Sequence, residues 1–292
     1  MNPKAQVLIT GVGLKPINYV FTDLITGQPS HTQIQVYDQY FKANIGTACA
    51  YELAMAGFRV HLVSRSEENL VRVKKCIEHH SAEAVVDYTS CDLNNEEKIT
   101  QLVNSIGDDL PLYWVQSVGL GGGTVKVKDD NPYLLIEDIP SELVEAELTV
   151  LKNTITLMQK LLPRFRKQKE TRICIISSMS AIRSVISGSM HMAAKGAISR
   201  FANAAMLELA KDRIFITDIR PGGVDTGMYD SEIVQKTVSK ISSTYGYDWG
   251  HEGIRLMPPS AVGKMVVSVL TSEAHITSVN MVARGQWPHE GS

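Results

Sequence analysis

The chain lacks the features that mark several large classes of protein. Its 292 residues carry 29 basic and 31 acidic side chains, so no charge excess attracts nucleic acid or an anionic membrane. No apolar run approaches the roughly 18 residues of a membrane span, and the amino terminus has no signal-peptide core. The four cysteines form no Cys-x-x-Cys pair, which argues against a zinc site or a disulfide framework. We therefore predict a cytoplasmic protein without a metal, and without nucleic-acid or membrane partners.

What the sequence does contain is a regular alternation of short β-branched runs and longer helical stretches. The predicted strands are 7–10, 59–63, 84–88, 112–115, 172–176, 214–219 and 278–283. The predicted helices are 47–56, 67–79, 96–106, 141–167, 189–211 and 259–272. Such alternation is typical of a parallel sheet with helices on both faces. We expect one Rossmann-like, doubly wound α/β domain over 1–292, with its ligand at the carboxyl ends of the strands.

Short motifs stand at the ends of these strands in an order that resembles one enzyme family. They are Thr10-Gly11, Asn44-Ile45-Gly46, Asp92-Leu93, Ser177-Ser178, Lys195 and the run from Pro221 to Thr226. Together they resemble the short-chain dehydrogenase/reductase family over nearly the whole chain. The resemblance implies an oxidoreductase that binds a nicotinamide coenzyme and a small organic substrate. It also implies a homodimer or homotetramer built on the long helices.

The phosphate-binding loop departs from the family pattern by a long insertion. Between Gly11 and Asn44 stand 32 residues where the family has three. By resemblance, Gly11, Asn44, Ile45 and Gly46 still hold the pyrophosphate. Asn44 replaces a glycine, and asparagine tolerates a left-handed backbone better than most residues with a side chain. We predict a hairpin flap over 14–43, with strands at 19–24 and 33–37 and a turn at 27–30; it either lies beside the coenzyme or is a surface insertion without a role.

The catalytic positions keep a serine and a lysine but exchange the tyrosine. In the family the proton donor lies four residues before the lysine; here that residue is His191, and Ser178 lies 13 residues earlier. Residues four apart on a helix face the same way, so His191 and Lys195 both point into the cleft. The resemblance assigns substrate polarisation to Ser178, proton relay to His191 and ribose binding to Lys195. The alternative is that His191 only fills the space of the lost tyrosine.

Two further departures keep other functions open. The charge of Lys195 disfavours an imidazolium beside it, so His191 is predicted to be a better base than acid. The family's helical asparagine falls at Val150, and Asn153 replaces it only if the register slips. A non-redox enzyme using His191 as a base for isomerisation, dehydration or elimination is therefore one alternative. A catalytically silent nucleotide-binding or partner subunit is another.

Several retained positions favour a nucleotide ligand. By resemblance, the coenzyme contacts are Asp92 and Leu93 at the adenine, Gly119 after the fourth strand, and Pro221, Gly222, Val224 and Thr226 at the nicotinamide. Asp92 alternatively caps a helix, and Thr226 caps the segment after it. Where NAD-binding members have an aspartate, this chain has Ser64 followed by Arg65, a pair that suits a 2′-phosphate. We predict NADP rather than NAD, unless the insertion closes the site or Arg65 is only a surface charge.

The segment 227–257 corresponds to the variable substrate lid of the family. It is rich in aromatic residues: Tyr229, Tyr245, Tyr247 and Trp249. Aromatic side chains favour an apolar or ring-bearing substrate, or else they pack the lid onto the core or onto a second subunit.

Overall fold

A parallel sheet of seven strands, covered by helices on both faces, forms the centre of the protein. The computed structural model describes residues 5–17, 33–36, 39–119, 134–184, 186, 188–230, 235–236, 239–240, 243–244 and 256–284. In chain order the strands are β1 (Gln6–Thr10), β2 (Leu14–Ile17), β3 (Gln33–Val36), β4 (Gln39–Ala43), β5 (Arg59–Ser64), β6 (Val86–Ser90), β7 (Leu112–Gln116), β8 (Thr171–Ile176), β9 (Ile214–Pro221) and β10 (Ser278–Met281). The helices are α1 (Ile45–Met55), α2 (Glu67–His80), α3 (Glu96–Ser105), α4 (Ser141–Phe165), α5 (Ser189–Leu209) and α6 (Pro259–Thr271).

The order of the central strands places the ligand crevice. It runs β10-β9-β8-β7-β1-β5-β6, and all neighbours are parallel. Winding reverses between β1 and β7, and a doubly wound sheet binds its ligand at the carboxyl ends of the strands beside such a reversal. The predicted doubly wound α/β fold in one domain is confirmed.

The strands and helices follow the predicted pattern with small shifts at their ends. The third predicted strand begins at Val86 rather than at 84, because the Ala84 N–H donates to the Ser81 carbonyl in a tight turn (3.1 Å). The first predicted helix begins at Ile45 rather than at 47, because the Asn44 side chain caps it there. Neither shift changes the faces that the elements bury.

Two hydrophobic cores lie on opposite faces of the central sheet. One packs β-sheet residues such as Ile9 and Leu62 against α1, α2 and α6. The other surrounds the buried Trp114 and Leu8 with α3, α4 and α5. Helices α1 and α6 approach closely, since a Cβ on Gly263 would stand 2.7 Å from the Ala48 carbonyl oxygen. The two cores hold the carboxyl ends of the strands rigidly in place.

The inserted segment adds a second, antiparallel sheet in the order β2-β4-β3. Strand β3 falls within the predicted stretch 33–37, whereas the stretch 19–24 and the turn 27–30 lie outside the described residues. Phe41 of β4 is 1 % exposed and joins the core beside α1 and α2. The Arg72 guanidinium of α2 lies 5.1 Å from its ring centroid. The base of the insertion is therefore packed onto the domain.

Candidate active site

Gly11 ends β1 at the reversal of the sheet. Its φ of +89° lies in the left-handed region, and a Cβ there would stand 2.6 Å from the Ser117 carbonyl carbon and oxygen. Only glycine fits such a conformation and such an approach. Gly11 thus allows the ends of β1 and β7 to meet where the crevice begins.

Asn44 joins the two ends of the insertion. Its Nδ2 donates to the Gly11 carbonyl oxygen at 2.8 Å, and its Oδ1 accepts from the N–H groups of Gly13 (3.2 Å) and Thr47 (2.9 Å). Its φ is −80°, in extended backbone, so the prediction that asparagine serves here by tolerating a left-handed conformation is wrong. The side chain matters instead, because it caps α1 and closes the loop.

The start of α1 lies directly against Gly11. A Cβ on Gly46 would stand 2.5 Å from the Gly11 carbonyl oxygen, so a larger residue would push the start of α1 away from Gly11. The first N–H groups of a helix, here those of Ile45 and Gly46, have no partner within the helix. Such a terminus attracts phosphate through its free amides and its dipole. The glycine-lined cradle fits the pyrophosphate of a dinucleotide.

Ser64 and Arg65 follow at the carboxyl end of β5. Ser64 is partly buried and Arg65 is exposed. The Ser90 hydroxyl donates to the Arg65 carbonyl oxygen at 2.9 Å and thereby ties the end of β6 to this residue. Arg65 is therefore an exposed residue directly after β5, held through its backbone to the end of β6.

Asp92 and Leu93 follow β6 on the same edge. Asp92 Oδ1 accepts from the Asn94 N–H at 3.1 Å, while the side chain of Asn95 caps α3. The alternative that Asp92 is the helix cap is therefore wrong. Leu93 packs, partly buried, against the core on the α3 side. The Asp92 carboxylate therefore lies in the loop at the rim rather than at the helix end.

The end of β9 and the turn after it carry four of the predicted coenzyme residues. They are Pro221, Gly222, Val224 and Thr226. The Gly222 N–H donates to the Met281 carbonyl at 2.7 Å, and Val224 forms a parallel bridge with Met257. The turn is thus held between β10 and the segment that precedes α6. Thr226 itself is partly buried, and its N–H donates to the Val224 carbonyl at 2.8 Å.

A buried carboxylate, which the sequence analysis did not single out, fixes the floor of the site. Asp218 is 1 % exposed and accepts from the hydroxyls of Ser177 and Ser199. It also pairs with Arg220, whose Nη2 lies 2.7 Å from Oδ2. The network links Ser177, which directly follows β8, with α5 and β9, and so joins the three parts of the chain that carry Ser178, Lys195 and Pro221. These three elements are therefore held in a fixed relation.

Ser178 lies just beyond β8. Its Oγ accepts from the Ser180 N–H at 3.0 Å and lies 3.5 Å from the Pro221 carbonyl oxygen. The hydroxyl thus stands beside the turn that carries the predicted nicotinamide contacts.

Lys195 lies on α5 and is 9 % exposed. A Cβ on Gly119 would stand 3.5 Å from its Nζ, so the ammonium group lies against the loop after β7. Burial lowers the pKa of Lys195, while the charges of Glu147 and Asp218 act in the opposite direction. Lys195 and Gly119, both predicted coenzyme residues, are therefore brought together.

His191 contacts a carboxylate that the sequence analysis missed. Its Nδ1 lies 3.2 Å from Oε1 of Glu147, which is on α4 and 3 % exposed. A buried carboxylate needs partners, because an unpaired one is costly to desolvate. Glu147 has two: it contacts His191 and interacts electrostatically with Lys195. His191 and Lys195 therefore share one buried carboxylate.

The expected asparagine position on α4 has no polar function. Val150 is 6 % exposed and belongs to the hydrophobic core. Asn153 does not replace it, since its Nδ2 donates to Asn94 Oδ1 at 2.7 Å, next in sequence to the predicted adenine contacts Asp92 and Leu93. Glu147 stands one helical turn before Val150, which is the spacing that keeps two residues on one face. This spacing was the only sequence signal for Glu147.

Parts of the predicted site lie outside the described residues. Most of the segment 227–257, including Tyr245, Tyr247 and Trp249, is among them. Within the described part of the chain, no group of three His, Cys, Asp or Glu side chains is placed to hold a metal ion. None of the described helices combines the length and the apolar character needed to cross a membrane.

Solved structures of similar fold include two reductases. One is an NADPH-bound short chain oxidoreductase from Pseudomonas aeruginosa PAO1 with an atypical catalytic center (TM-score 0.70, 15% identity, 98% of each chain covered). Another is the L-sorbose reductase of Gluconobacter frateurii with NADPH and L-sorbose (TM-score 0.71, 18% identity, 99% of this chain and 98% of that one). At such identities the likeness shows the fold alone.

Sequence comparison gives the family. An uncharacterized oxidoreductase of Staphylococcus saprophyticus is 26% identical over 243 residues, which are 82% of this chain and 92% of that protein. The oxidoreductase names of such relatives support the same general class for this chain. The sequence model of the short chain dehydrogenase family matches residues 42–236, which is more than half of the chain. The protein therefore belongs to the short-chain dehydrogenase/reductase family.

Proposed function

We propose that the protein is an NADP-linked oxidoreductase that interconverts a carbonyl and an alcohol in a small, biosynthetic organic molecule. The observation that carries the proposal is the contact of His191 with the buried Glu147 beside Lys195. A carboxylate on Nδ1 orients an imidazole so that Nε2 is directed at a reactant, as in histidine-based catalytic triads. Such an arrangement is suited to proton transfer. A histidine that only filled the space of the lost tyrosine would not need a carboxylate partner.

The residues divide the reaction between them. Bound NADPH would supply the hydride that reduces the carbonyl carbon, and negative charge would develop on the carbonyl oxygen. Ser178 donates a hydrogen bond to that oxygen. His191 delivers the proton from Nε2 to complete the hydroxyl, and Glu147 stabilises the imidazolium that precedes the transfer. Lys195 binds the ribose hydroxyls. In the oxidative direction, His191 removes the hydroxyl proton instead.

The preference for NADP is assigned to Arg65. Arg65 is exposed at the carboxyl end of β5, and Ser64 before it carries no charge that would repel a 2′-phosphate. The remaining predicted contacts are assigned as before: the pyrophosphate to Gly11, Asn44, Ile45 and Gly46, the adenine to Asp92 and Leu93, and the nicotinamide to Pro221, Gly222, Val224 and Thr226.

Titration calorimetry with NADPH, NADP⁺, NADH and NAD⁺ tests the coenzyme assignment. Arg65→Ala is expected to weaken NADPH about 10- to 100-fold, since a charge-assisted phosphate contact is lost, and to leave NADH unchanged. Arg200→Ala, at an exposed position on α5, is the matched control. Equal NADPH affinity in the Arg65 variant would contradict the NADP assignment. A wild-type protein that binds none of the four coenzymes would end the proposal of hydride transfer.

Glu147→Gln tests the electrostatic role of the buried carboxylate. Burial lowers the pKa of Lys195, and the negative charge of Glu147 acts against this effect by raising it. Its removal disfavours the ammonium form, so NADPH affinity is expected to decline at a lower alkaline pH than in the wild type. The measurement is the NADPH dissociation constant across pH, with the exposed Glu145→Gln as control. If NADPH affinity falls at the same alkaline pH in the variant and in the wild type, the proposed electrostatic link between Glu147 and Lys195 is contradicted.

A non-redox reaction is the second candidate, and the same contact favours it. A histidine oriented by a carboxylate is also an effective base for isomerisation, dehydration or elimination. The two candidates separate on one measurement, because a redox enzyme consumes NADPH in step with its carbonyl substrate. Turnover that continues without added coenzyme and stops in His191→Ala would favour the non-redox reaction.

Assembly and location complete the proposal. We assign a homodimer or homotetramer built on α4 and α5, whose Leu148 and Leu207 side chains are 49 % and 76 % exposed. Exposed leucines on long helices are suited to packing against a second subunit. The four cysteines are free and buried, which supports a reducing compartment such as the cytoplasm.

A further inference from the structure

The inserted sheet contacts the turn after β9 through two lysines. Lys42 of β4 places its Nζ 2.6 Å from Asp225 Oδ1 and 2.9 Å from Asp230 Oδ2. Lys15 of β2 donates from Nζ to the Gly227 carbonyl oxygen at 2.6 Å. In sequence, 183 residues separate Lys42 from Asp225.

The ion pairs at Lys42 are largely withdrawn from solvent. Lys42 is 2 % exposed, and the side chains of Asp225 and Asp230 are 23 % and 22 % exposed. Burial by itself lowers the pKa of Lys42, but the hydrogen bonds and charges of the two aspartates outweigh it, and the net shift is upward. The lysine therefore stays charged at neutral pH. Losing one member of a buried pair leaves the other charge uncompensated, which is strongly unfavourable.

Gly227 shows how closely the turn fits over the lysines. Its φ is +84°, and a Cβ there would stand 2.9 Å from Cδ of Lys15 and 3.4 Å from Cδ of Lys42. The backbone of the turn thus lies directly on the two aliphatic side chains. The contact is shaped by packing as well as by charge.

The contact lies beside the proposed nicotinamide residues. Asp225 stands between Val224 and Thr226 in sequence, and Gly227 follows them. At its other end the inserted sheet is joined to the phosphate loop, where Gly13 bonds to Asn44 and Thr47. The inserted sheet therefore connects the residues proposed to hold the pyrophosphate with those proposed to hold the nicotinamide.

We infer that Lys42 is a positioning residue for the nicotinamide-binding turn, so that coenzyme affinity depends on the insertion. The inference rests on the proposed NADP binding. Through Asp225 and Asp230, Lys42 fixes Val224 and Thr226 in the conformation that receives the nicotinamide. Without the ion pairs, the turn would become ordered only when the coenzyme binds, and the free energy of that ordering would weaken coenzyme binding.

Binding of NADPH and of adenosine 2′,5′-bisphosphate, which has no nicotinamide, tests the inference. Lys42→Met is expected to weaken NADPH at least about tenfold and to leave the bisphosphate unchanged, because only the nicotinamide end loses its support. Lys160→Met removes a lysine from a more exposed ion pair on α4 and is the matched control. Asp225→Asn, which keeps the size of the side chain, is expected to reproduce the selective loss.

Other results would overturn the inference. They are unchanged NADPH affinity in Lys42→Met, or an equal loss of both ligands in a folded variant. Should Lys42→Met fail to fold, Asp225→Asn decides by the same two readouts. Failure of the wild type to bind NADPH, by contrast, would overturn the proposed function itself and this inference with it.

Discussion

Replacing His191 by alanine is expected to lower kcat about 10²- to 10⁴-fold, the usual contribution of a positioned acid or base. The imidazole is the group that Glu147 orients, and Nε2 is the atom proposed to exchange a proton with the substrate oxygen. NADPH affinity is expected to stay near the wild-type value, because ribose binding is assigned to Lys195. The measurement is NADPH oxidation with the best substrate from a panel of aldehydes and ketones.

His79 provides the control for this prediction. It is an exposed histidine on α2 that has no proposed role in the site, and His79→Ala should retain full turnover. Unchanged turnover in His191→Ala would mean that the histidine only fills space. NADPH binding without turnover of any substrate by the wild type would instead point to the silent, nucleotide-binding alternative.

Replacing Gly11 by alanine is expected to have the largest effect on stability. The residue combines a φ of +89° with a Cβ position 2.6 Å from the Ser117 backbone. Left-handed strain and overpacking together are expected to lower the free energy of unfolding by about 2–5 kcal/mol. NADPH binding should be lost as well, because the Gly11 carbonyl contacts both Asn44 and Gly46. Denaturant unfolding and calorimetric titration measure the two effects.

Gly57 separates the two contributions at Gly11. Its φ is +84°, almost the same, but nothing lies within 4 Å of a Cβ built there. Gly57→Ala should therefore show only the left-handed strain, about 1–2 kcal/mol. Equal losses of stability in the two variants would contradict the steric argument for Gly11, and with it the close meeting of β1 and β7.

The proposed catalytic residues on α5 illustrate what spacing in a sequence can predict. His191 and Lys195 are four residues apart, and helix geometry alone places them on one side. The strands were predicted for a similar reason, since buried parallel strands appear as short β-branched runs between amphipathic helices. Both predictions depend only on residues that are close together in sequence.

Glu147 and Asp218 illustrate what the sequence analysis missed. Each is one acidic residue among 31; Asp218 stands in an apolar predicted strand and Glu147 one helical turn before Val150, but neither position identifies the partners of the carboxylate. Glu147 becomes significant only when the rotation of α4 directs it at His191. That rotation is set by the packing of residues such as Val150 into the core. Of the partners of Asp218, Arg220 is two residues away on β9, but Ser177 follows β8 and Ser199 is on α5, and no local pattern brings these two to the carboxylate.

Asn44 shows how an interpretation that fits the residue type can still be wrong. Its tolerance of left-handed backbone was the reason given for it at a glycine position, yet the backbone there is extended. The residue acts through its side chain, which bonds Gly11 and Gly13 across the mouth of the insertion. These partners lie more than 30 residues away in sequence, and only the folded insertion brings them to Asn44.

By itself, the sequence determined the α/β alternation, the single doubly wound sheet and the positions of Ser178, His191 and Lys195 along it. These depend on periodicity and spacing, which are properties of short segments. Only the tertiary structure decided that Glu147 contacts His191, and that Lys42 reaches Asp225 across 183 residues. Such contacts depend on how whole elements pack, and the free energy that selects the packing comes from burying many residues at once.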